Sequence, residues 1–433
     1  MMTRSCLLIA DDLTGGADAG AQFAKKNLQT LLISPQKNEK IYFQKYSSQD
    51  VLVINTNSRD LSPEEAYRLI SNLLTEYEER LFPILYKKID STLRGNIGYE
   101  IDAVLEKTNN HLCFVAPSYP EQNRTLIGGI MIVGEKPLAL TEVARKTTSP
   151  IQESHVYKIL QAQSNNRVGW IDLTHVASSS EGLKKAVDIE KSKGNRIIIF
   201  DAATRQDLKN IAEVGFSLER KPLFVGSAGL AEEVAHFMNP ENEKFLSREI
   251  RPFQNIFIIS GTASSVTHQQ LKRIEEKGIP SFQLPLPLIL AEGSKTREER
   301  ERFSEKIAHS LNRGICILKT PSERVTPIES PDVPIHLKVT KILASLALGV
   351  IEKSQIRPND LALILTGGET AQHTINGLGP KEIQIEGELL EGIVIGRLIG
   401  EEWNGVTVIT KAGAFGKEDA LEKVIEMLTQ PKT

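Results

Sequence analysis

The sequence predicts an α/β protein built from two domains, each around a largely parallel sheet. Three observations carry that prediction. The chain has 433 residues, beyond the roughly 250–300 at which single hydrophobic cores stop growing. Short β-branched runs recur with amphipathic stretches between them, the pattern of βα units and a parallel sheet. A polar stretch interrupts this alternation once, past the middle of the chain.

Taken in order, the strand candidates of the first half are CLLIA (6–10), DVLVIN (50–55), ILYKKI (84–89), HLCFVA (111–116), RVGWIDL (167–173) and RIIIF (196–200). Helical patterns at 63–79, 97–108 and 181–193 separate several of them. Residues 117–165 are less regular, rich in proline, glycine and polar side chains. A segment of that kind inside a compact domain is often a functional loop or lid, and GIMIVGEKPLAL within it has the form of a hairpin. After PLFVGSAGLAEEVAHF the chain turns polar, which sets the boundary: a domain at 1–238, a linker at 239–254 and a second domain at 255–433. The active site is expected in the cleft between the two domains. The second half alternates again through NIFIIS, a helix from 264, GICIL, a helix near 339–353, then LALILTGG, GIVIG and VTVITKAG.

Composition narrows the partners. Apolar residues make up 40% of the chain, charged residues 25%, and the formal net charge is −3, as in an ordinary globular protein. The charge balance argues against nucleic acid as the main partner, because binding a polyphosphate backbone usually leaves a basic surplus. A local basic site for a small anion remains compatible with that balance. No apolar run approaches the roughly 18–20 residues of a membrane span, so no membrane partner is expected. The N-terminal run CLLIA ends at two aspartates, short of the roughly 7–15 residues of a signal-peptide core; a cytoplasmic protein is the expectation. Cys6, Cys113 and Cys316 each sit in an apolar run with no CxxC spacing, which fits buried strand thiols in a reducing compartment. The histidines show no HxH or HxxxH pairing, so a zinc site built by the protein is not expected.

The chemistry of the first half lies in three turns that follow strands. In open parallel sheets ligands bind at the carboxyl ends of strands, and ADDLTGGADAG (10–20) stands there directly after the first run. Asp11 and Asp12 can accept hydrogen bonds from a polyol, hold Mg2+ through water or act as a base. Thr14, Gly15 and Gly16 permit a tight turn into a helix expected to start near Ala17; the bland alternative is an Asp that only caps that helix. In NTNSRDLSPEEA (55–66), Ser62 and Pro63 read as a helix start, whereas Arg59 can grip a carboxylate bidentately, unless it merely pairs with Asp60 or Glu64. In KKIDSTLRGNIGYEI (87–101), Lys88, Asp90, Ser91, Arg94 and Gly95 crowd one strand-to-helix turn. Cations there suit a carboxylate, and Asp and Ser suit hydroxyls; together they suit a polyhydroxylated acid.

The second half offers glycine-rich turns: ISGTAS (259–264), LTGGETAQ (365–372) and TKAGAFGKEDA (410–420), each after an apolar strand and before a helix. Small residues let backbone N–H groups approach phosphate oxygens, and a helix N-terminus favours negative charge. Three such turns in one domain converge on a nucleotide site. No Walker GxxxxGK[ST] and no GxGxxG after a strand occurs, which supports neither a P-loop NTPase nor a standard dinucleotide fold.

Together these motifs resemble the four-carbon acid sugar kinases, and the likeness covers nearly the whole chain. It runs through IADDLTGGADAGAQFA, INTNSRDLSPEEA, YKKIDSTLRGNIGYE, APSYPEQNRTLIGGIMIVGEKPL, SPIQESHV, GSAGLAEEV, ISGTAS, LTGGETA and KAGAFG. The resemblance implies a sugar-acid-binding domain followed by a nucleotide-binding domain. It implies phosphorylation by ATP of the 4-hydroxyl of D-threonate, D-erythronate or a 3-oxo-tetronate. By motif, Asp11, Arg59 and the segment Lys88, Ile89, Asp90 and Ser91 hold the acid. Ser260, the run Gly367, Gly368, Glu369 and Thr370, and the run Gly413, Ala414, Phe415 and Gly416 hold ATP. ADDLTG followed by AGAQFA is more similar to the threonate/erythronate branch than to the 3-oxo-tetronate branch, although Gly16-Ala17-Asp18 departs from the Ala-Asn-Asp often seen with threonate. Homodimers are common among such enzymes, and the resemblance leaves a homodimer open here.

The expected mechanism is in-line phosphoryl transfer, in which positioning and charge neutralisation do most of the catalysis. Lys88, Arg59 and Arg94 are expected to fix the carboxylate, and Asp12 or Asp90 to serve as base or orienter for the 4-hydroxyl. Mg2+ is expected to bridge the β- and γ-phosphates, with its protein ligands unassigned, and domain closure to exclude water. Two rivals stand beside this reading. A sugar-acid sensor explains the first half but leaves the glycine-rich turns without a task. A nicotinamide-dependent dehydrogenase needs a dinucleotide fingerprint that the chain lacks.

Overall fold

The structure is a computed structural model that describes residues 5–36, 39–108, 110–145, 150–240, 250–262, 264–291, 293–321, 335–379 and 382–430. Of the sequence expectations, most of the linker (241–249), Ala263 of the ISGTAS turn and residues 146–149 of the irregular segment lie outside the described residues. The chain separates into two compact units, Met1–Lys244 and Phe245–Thr433.

In the first unit the apolar runs form β1 (Cys6–Ala10), β2 (Thr30–Ile33), β3 (Val51–Asn55), β4 (Ile84–Lys88) and β5 (Cys113–Ala116). The irregular segment then folds as a small antiparallel sheet of β6 (Arg124–Ile127), β7 (Ile130–Val133) and β8 (Lys136–Pro137), so the hairpin reading of 129–140 holds. β9 (Val168–Ile171), β10 (Ile197–Phe200) and β11 (Leu223–Gly226) complete the unit. The main sheet runs β2-β3-β1-β4-β11-β5-β10-β9, and every pairing in that order is parallel. β1, β2, β3, β4, β5, β10 and β11 are buried at every residue, as expected of parallel strands covered on both faces. The core gathers Leu7, Ile9, Leu52, Ile54, Leu85 and Val115 from the sheet with Ile70, Ile97, Ile101 and Val104 from the helices.

Three helices matter for the site: α1 (Leu13–Lys25), α2 (Pro63–Leu73) and α3 (Ile97–Lys107). The helix expected from Ala17 starts four residues earlier, because Asp12 is extended and its carboxylate caps the Gly15 N–H at 3.2 Å. The expected start of α2 is present as a full capping box between Ser62 and Glu65, with proline in the first turn; such a box satisfies two otherwise orphaned N–H groups.

The second unit holds β12 (Asn255–Ser260), β13 (Ser281–Gln283), β14 (Ile315–Lys319), β15 (Leu361–Thr366), β16 (Glu382–Leu390), β17 (Ile393–Ile399) and β18 (Thr407–Lys411). β13-β14-β12-β15-β18 are parallel; β17 and β16 continue the order antiparallel to their neighbours. Ile256, Ile258, Ile364, Ile395 and Ile409 form its core with Leu271, Val424 and Leu428. Both units are therefore α/β with largely parallel sheets. Among the described residues no helix is long and apolar enough to cross a membrane.

Candidate active site

Register builds the first site. Ala10 lies opposite Asn55 on β3 and Lys88 on β4, so the residues following three adjacent strands emerge side by side at the carboxyl edge. There Arg59 donates to Asp11 through Nε (2.8 Å) and Nη2 (2.9 Å), and through Nη2 to Asp12 Oδ1 (2.6 Å). It thus pairs with the aspartates after β1, and not with Asp60 or Glu64. A guanidinium has five donors; these bonds leave the two Nη1 hydrogens without a protein acceptor among the described residues. The 58–61 turn is itself held, since Asn96 Nδ2 donates to Ser58 O (3.2 Å) and Leu61 O (2.9 Å).

β4 supplies two lysines with opposite fates. Lys87 is fully buried and pairs with Glu100 of α3 at 2.7 Å; Glu100 also accepts from the Ser58 hydroxyl. Lys88 is 5% exposed, donates to Ile89 O at 2.9 Å, and has no carboxylate at ion-pair distance among the described residues. A negative charge acts on it at longer range, since Lys88 helps hold the Asp11 carboxyl down without forming an ion pair. Ile89 takes part through its backbone only, because its side chain is buried in the core.

The following turn is equally constrained. Asp90 accepts from Arg94 Nε at 2.5 Å and from the Thr92 hydroxyl. Ser91 Oγ accepts from Arg124 Nη1. Leu93 sits in the left-handed region at φ 60°, a strain of order 1–3 kcal/mol for a non-glycine residue, held in place by burial of its side chain. Burial alone would raise the Asp90 and Asp11 carboxyls. For Asp90 the charges of Arg94 and Arg59, with the Arg94 and Thr92 hydrogen bonds, outweigh burial and hold it well below the usual carboxylate range. For Asp11 the Arg59 guanidinium outweighs burial and lowers the carboxyl, helped by Lys87 and Lys88. The first site thus brings together Asp11, Asp12, Arg59, Lys88, Asp90, Ser91 and Arg94. It adds Arg124, which arrives from the hairpin and which motif reading did not single out.

The second unit repeats the strand-end logic. Ser260 lies opposite Thr366, and Thr366 opposite Lys411, so the three glycine-rich turns leave neighbouring strands. They also touch. A Cβ on Gly261 would collide with Thr370 Oγ1, and one on Gly413 with Thr262 Oγ1; glycine permits that approach. Gly367 takes φ 96° and opens the helix Gly368–Gly377. Ser260 and Thr370 are buried, and Thr370 Oγ1 has no hydrogen-bond partner among the described residues. Glu369 accepts from Thr340 at 3.4 Å. In the last turn Ala414 is exposed, Phe415 is buried and packs on Gly392, and Gly416 takes φ 84°. Gln270 Nε2 donates to the carbonyls of Phe415, Gly416 and Lys417, and Thr267 Oγ1 to Gly413 O at 2.7 Å. Lys411 is buried below this turn, donating to Thr267 Oγ1 (2.9 Å) and Ala412 O (3.1 Å).

One α/β unit thus carries a strand edge dense in aspartates, cations and hydroxyls, and the next a set of touching small-residue turns. Family models described as a sugar-binding N-terminal domain and a nucleotide-binding C-terminal domain match residues 6–234 and 257–421. The chain belongs to the four-carbon acid sugar kinase family, phosphotransferases that act on a hydroxyl. It is 30% identical to a D-threonate kinase of Salmonella typhimurium over 97% of this chain and 98% of that one. It is 28% identical to a D-erythronate kinase of Heliobacterium modesticaldum (98% and 96%), and 24% identical to a 3-oxo-tetronate kinase of Pseudomonas savastanoi (97% and 96%). Two crystal structures share the fold: a Salmonella typhimurium protein (TM-score 0.79, 22% identity, 97% and 98% covered) and a Haemophilus influenzae protein (0.72, 22%, 98% and 100%).

Proposed function

We propose that this chain transfers the γ-phosphoryl group of ATP to the 4-hydroxyl of D-threonate or D-erythronate, in the cytoplasm. The observation that carries the acid is Lys88, a buried lysine with no carboxylate at ion-pair distance among the described residues, on the same strand edge as Arg59, whose Nη1 hydrogens are unengaged among those residues. In this reading Lys88 and Arg59 take the substrate carboxylate, and Asp11 holds Arg59 in its fork. Ser91, Asp90 and Arg94 receive the hydroxyls, and the end remote from the carboxylate is left for the phosphoryl donor. Asp90, held at low pKa by Arg94 and Arg59, acts as an orienter, and Asp12, which pairs with Arg59 through Oδ1, is assigned as the base for the 4-hydroxyl. Ser260, Gly367–Thr370 and Gly413–Gly416 hold the nucleotide. The buried free thiols of Cys6, Cys113 and Cys316 accord with a reducing compartment.

Kinases of this kind use Mg2+ to neutralise the phosphates. Asp11, Asp12 and Asp90 are each already engaged by a guanidinium, and no three metal-ligating side chains cluster among the described residues. The donor set among the described residues does not define a Mg2+ cage held by the protein. The test is ADP release with ATP and Mg2+ against D-threonate, D-erythronate, their L-isomers and 3-oxo-tetronates. Turnover of either D-tetronate supports the assignment. Turnover of a 3-oxo-tetronate alone moves the chain to that branch, and silence on all of them overturns the substrate class.

A further inference from the structure

The hairpin β6–β7 is bolted to the first unit. Its two-residue turn, Gly128-Gly129, has both φ values positive (61° and 73°), as tight hairpins of this kind require. The carboxylate of Asp201, fully buried just after β10, accepts the Gly128 N–H (2.7 Å), the Gly129 N–H (3.0 Å) and Trp170 Nε1 (3.0 Å). One turn of backbone further in, Leu126 and Ala202 exchange hydrogen bonds at 3.0 and 2.9 Å, and the Ser118 hydroxyl links both, accepting from Leu126 N and donating to Ala202 O. Met131 and Val156 tie the other side, bonding Ser154 O (2.8 Å) and Gly129 O (2.9 Å). Leu126 is fully buried. Arg124, two residues away, shares its face of β6 because strand side chains alternate with period two. That face delivers the Arg124 guanidinium to the Ser91 hydroxyl, within the electrostatic reach of Asp90 and Arg94.

We infer that Arg124 contacts the hydroxyl-bearing middle of the sugar acid and that Asp201 is the positioning residue that sets where Arg124 stands. Arg124 Nη1 already donates to a hydroxyl oxygen, Ser91 Oγ, and a substrate hydroxyl beside Ser91 presents the same acceptor. A planar guanidinium fixes the direction of its hydrogen bonds as an ammonium does not. Arg124 is therefore a specificity residue, which distinguishes acids by the placement of their hydroxyls. Burial lowers the basicity of Arg124, and a desolvated donor discriminates more strongly between a present and a missing acceptor.

The inference rests on the four-carbon acid reading, and the wild-type enzyme separates the two. Steady-state kinetics with the better D-tetronate would compare wild type, Arg124→Ala, Arg124→Lys and Asp201→Asn. Arg124→Ala raises KM for the acid about ten- to a hundredfold, the usual cost of a charged hydrogen bond, with KM for ATP nearly unchanged. Millimolar guanidinium recovers part of that loss, which a purely structural role does not allow. Arg124→Lys recovers little, and Asp201→Asn raises KM for the acid in the same direction with a smaller factor. A wild type that turns over a D-tetronate alongside an Arg124→Ala enzyme with unchanged acid KM overturns the inference alone. If Arg124→Ala does not fold, an unchanged acid KM in Arg124→Lys overturns it equally. A wild type silent on every tetronate overturns both readings together.

Discussion

Replacing Lys411 by methionine will stabilise the second unit at neutral pH and remove a slope from its stability profile. The Lys411 side chain is fully buried at the end of β18, and among the described residues no carboxylate pairs with it. Burial lowers its pKa to about 7, whereas an unfolded lysine titrates near 10.4. Between those values the unfolded chain binds a proton that the folded chain does not. Stability therefore rises with pH through that window, by up to about 1.4 kcal/mol per pH unit. Below about pH 7 the folded state carries the buried charge, and the whole penalty is present. The full window corresponds to roughly 4–5 kcal/mol, which water penetration and the bonds to Thr267 and Ala412 reduce. A difference of about 2 kcal/mol between pH 7.5 and 9.5 is a reasonable expectation. Urea unfolding of wild type and Lys411→Met at several pH values isolates the effect, because every other titration is common to both proteins. Wild type gains on the variant as pH rises, and the variant is the more stable at pH 7. A variant less stable at pH 7, with a parallel pH profile, refutes the reasoning.

Three further outcomes follow from the first unit. Gly15→Ala places a methyl group against Asp12 Oδ1 and 3.1 Å from Lys88 Nζ; it will raise KM for the acid at least tenfold, a loss of about 1.4 kcal/mol or more, and leave KM for ATP alone, as steady-state kinetics will show. Glu100→Gln strands the buried Lys87 charge and will lower unfolding stability by about 3–5 kcal/mol, whereas the double change Lys87→Met with Glu100→Leu recovers much of it; a loss near zero in chemical denaturation refutes the network. Asp12→Asn will lower kcat by about 10²-fold if Asp12 is the base, and Asp90→Asn by less; unchanged kcat in both removes the carboxylates from the chemistry.

Most of the fold was legible because parallel strands are short, continuous and apolar, and the loops after β1, β3, β4, β12, β15 and β18 carry unusual residue mixtures. What escaped has identifiable causes. β16 alternates buried and half-buried positions through EIQIEGELL, a polar-rich alternation whose glutamates and glycine mask the strand. Asp12 proved to be both a cap and a partner of Arg59, so the local and functional readings of that residue were never exclusive. Lys87 differs from Lys88 only in the face of β4 it occupies, which the dipeptide does not show until α3 supplies Glu100. Arg124 lies 33 positions from Ser91, beyond any local pattern, and only the docking of the hairpin through Asp201 brings the two together.

The strand order of the first unit also bears on how it is made. β11, the last strand in sequence, lies between β4 and β5. Until residue 226 has left the ribosome, β2-β3-β1-β4 and β5-β10-β9 are two partial sheets, each with an open inner edge. Unpaired edges of apolar strands recruit other strands, and incomplete chains of this size are prone to do so during synthesis. The same late strand carries Gly226, whose carbonyl receives the Ile89 N–H at 3.0 Å, so the turn that holds Lys88 and Ser91 gains its final support only when the unit closes. On this order the nascent chain completes its sheet and the support of the turn after β4 together, near the end of the unit's synthesis.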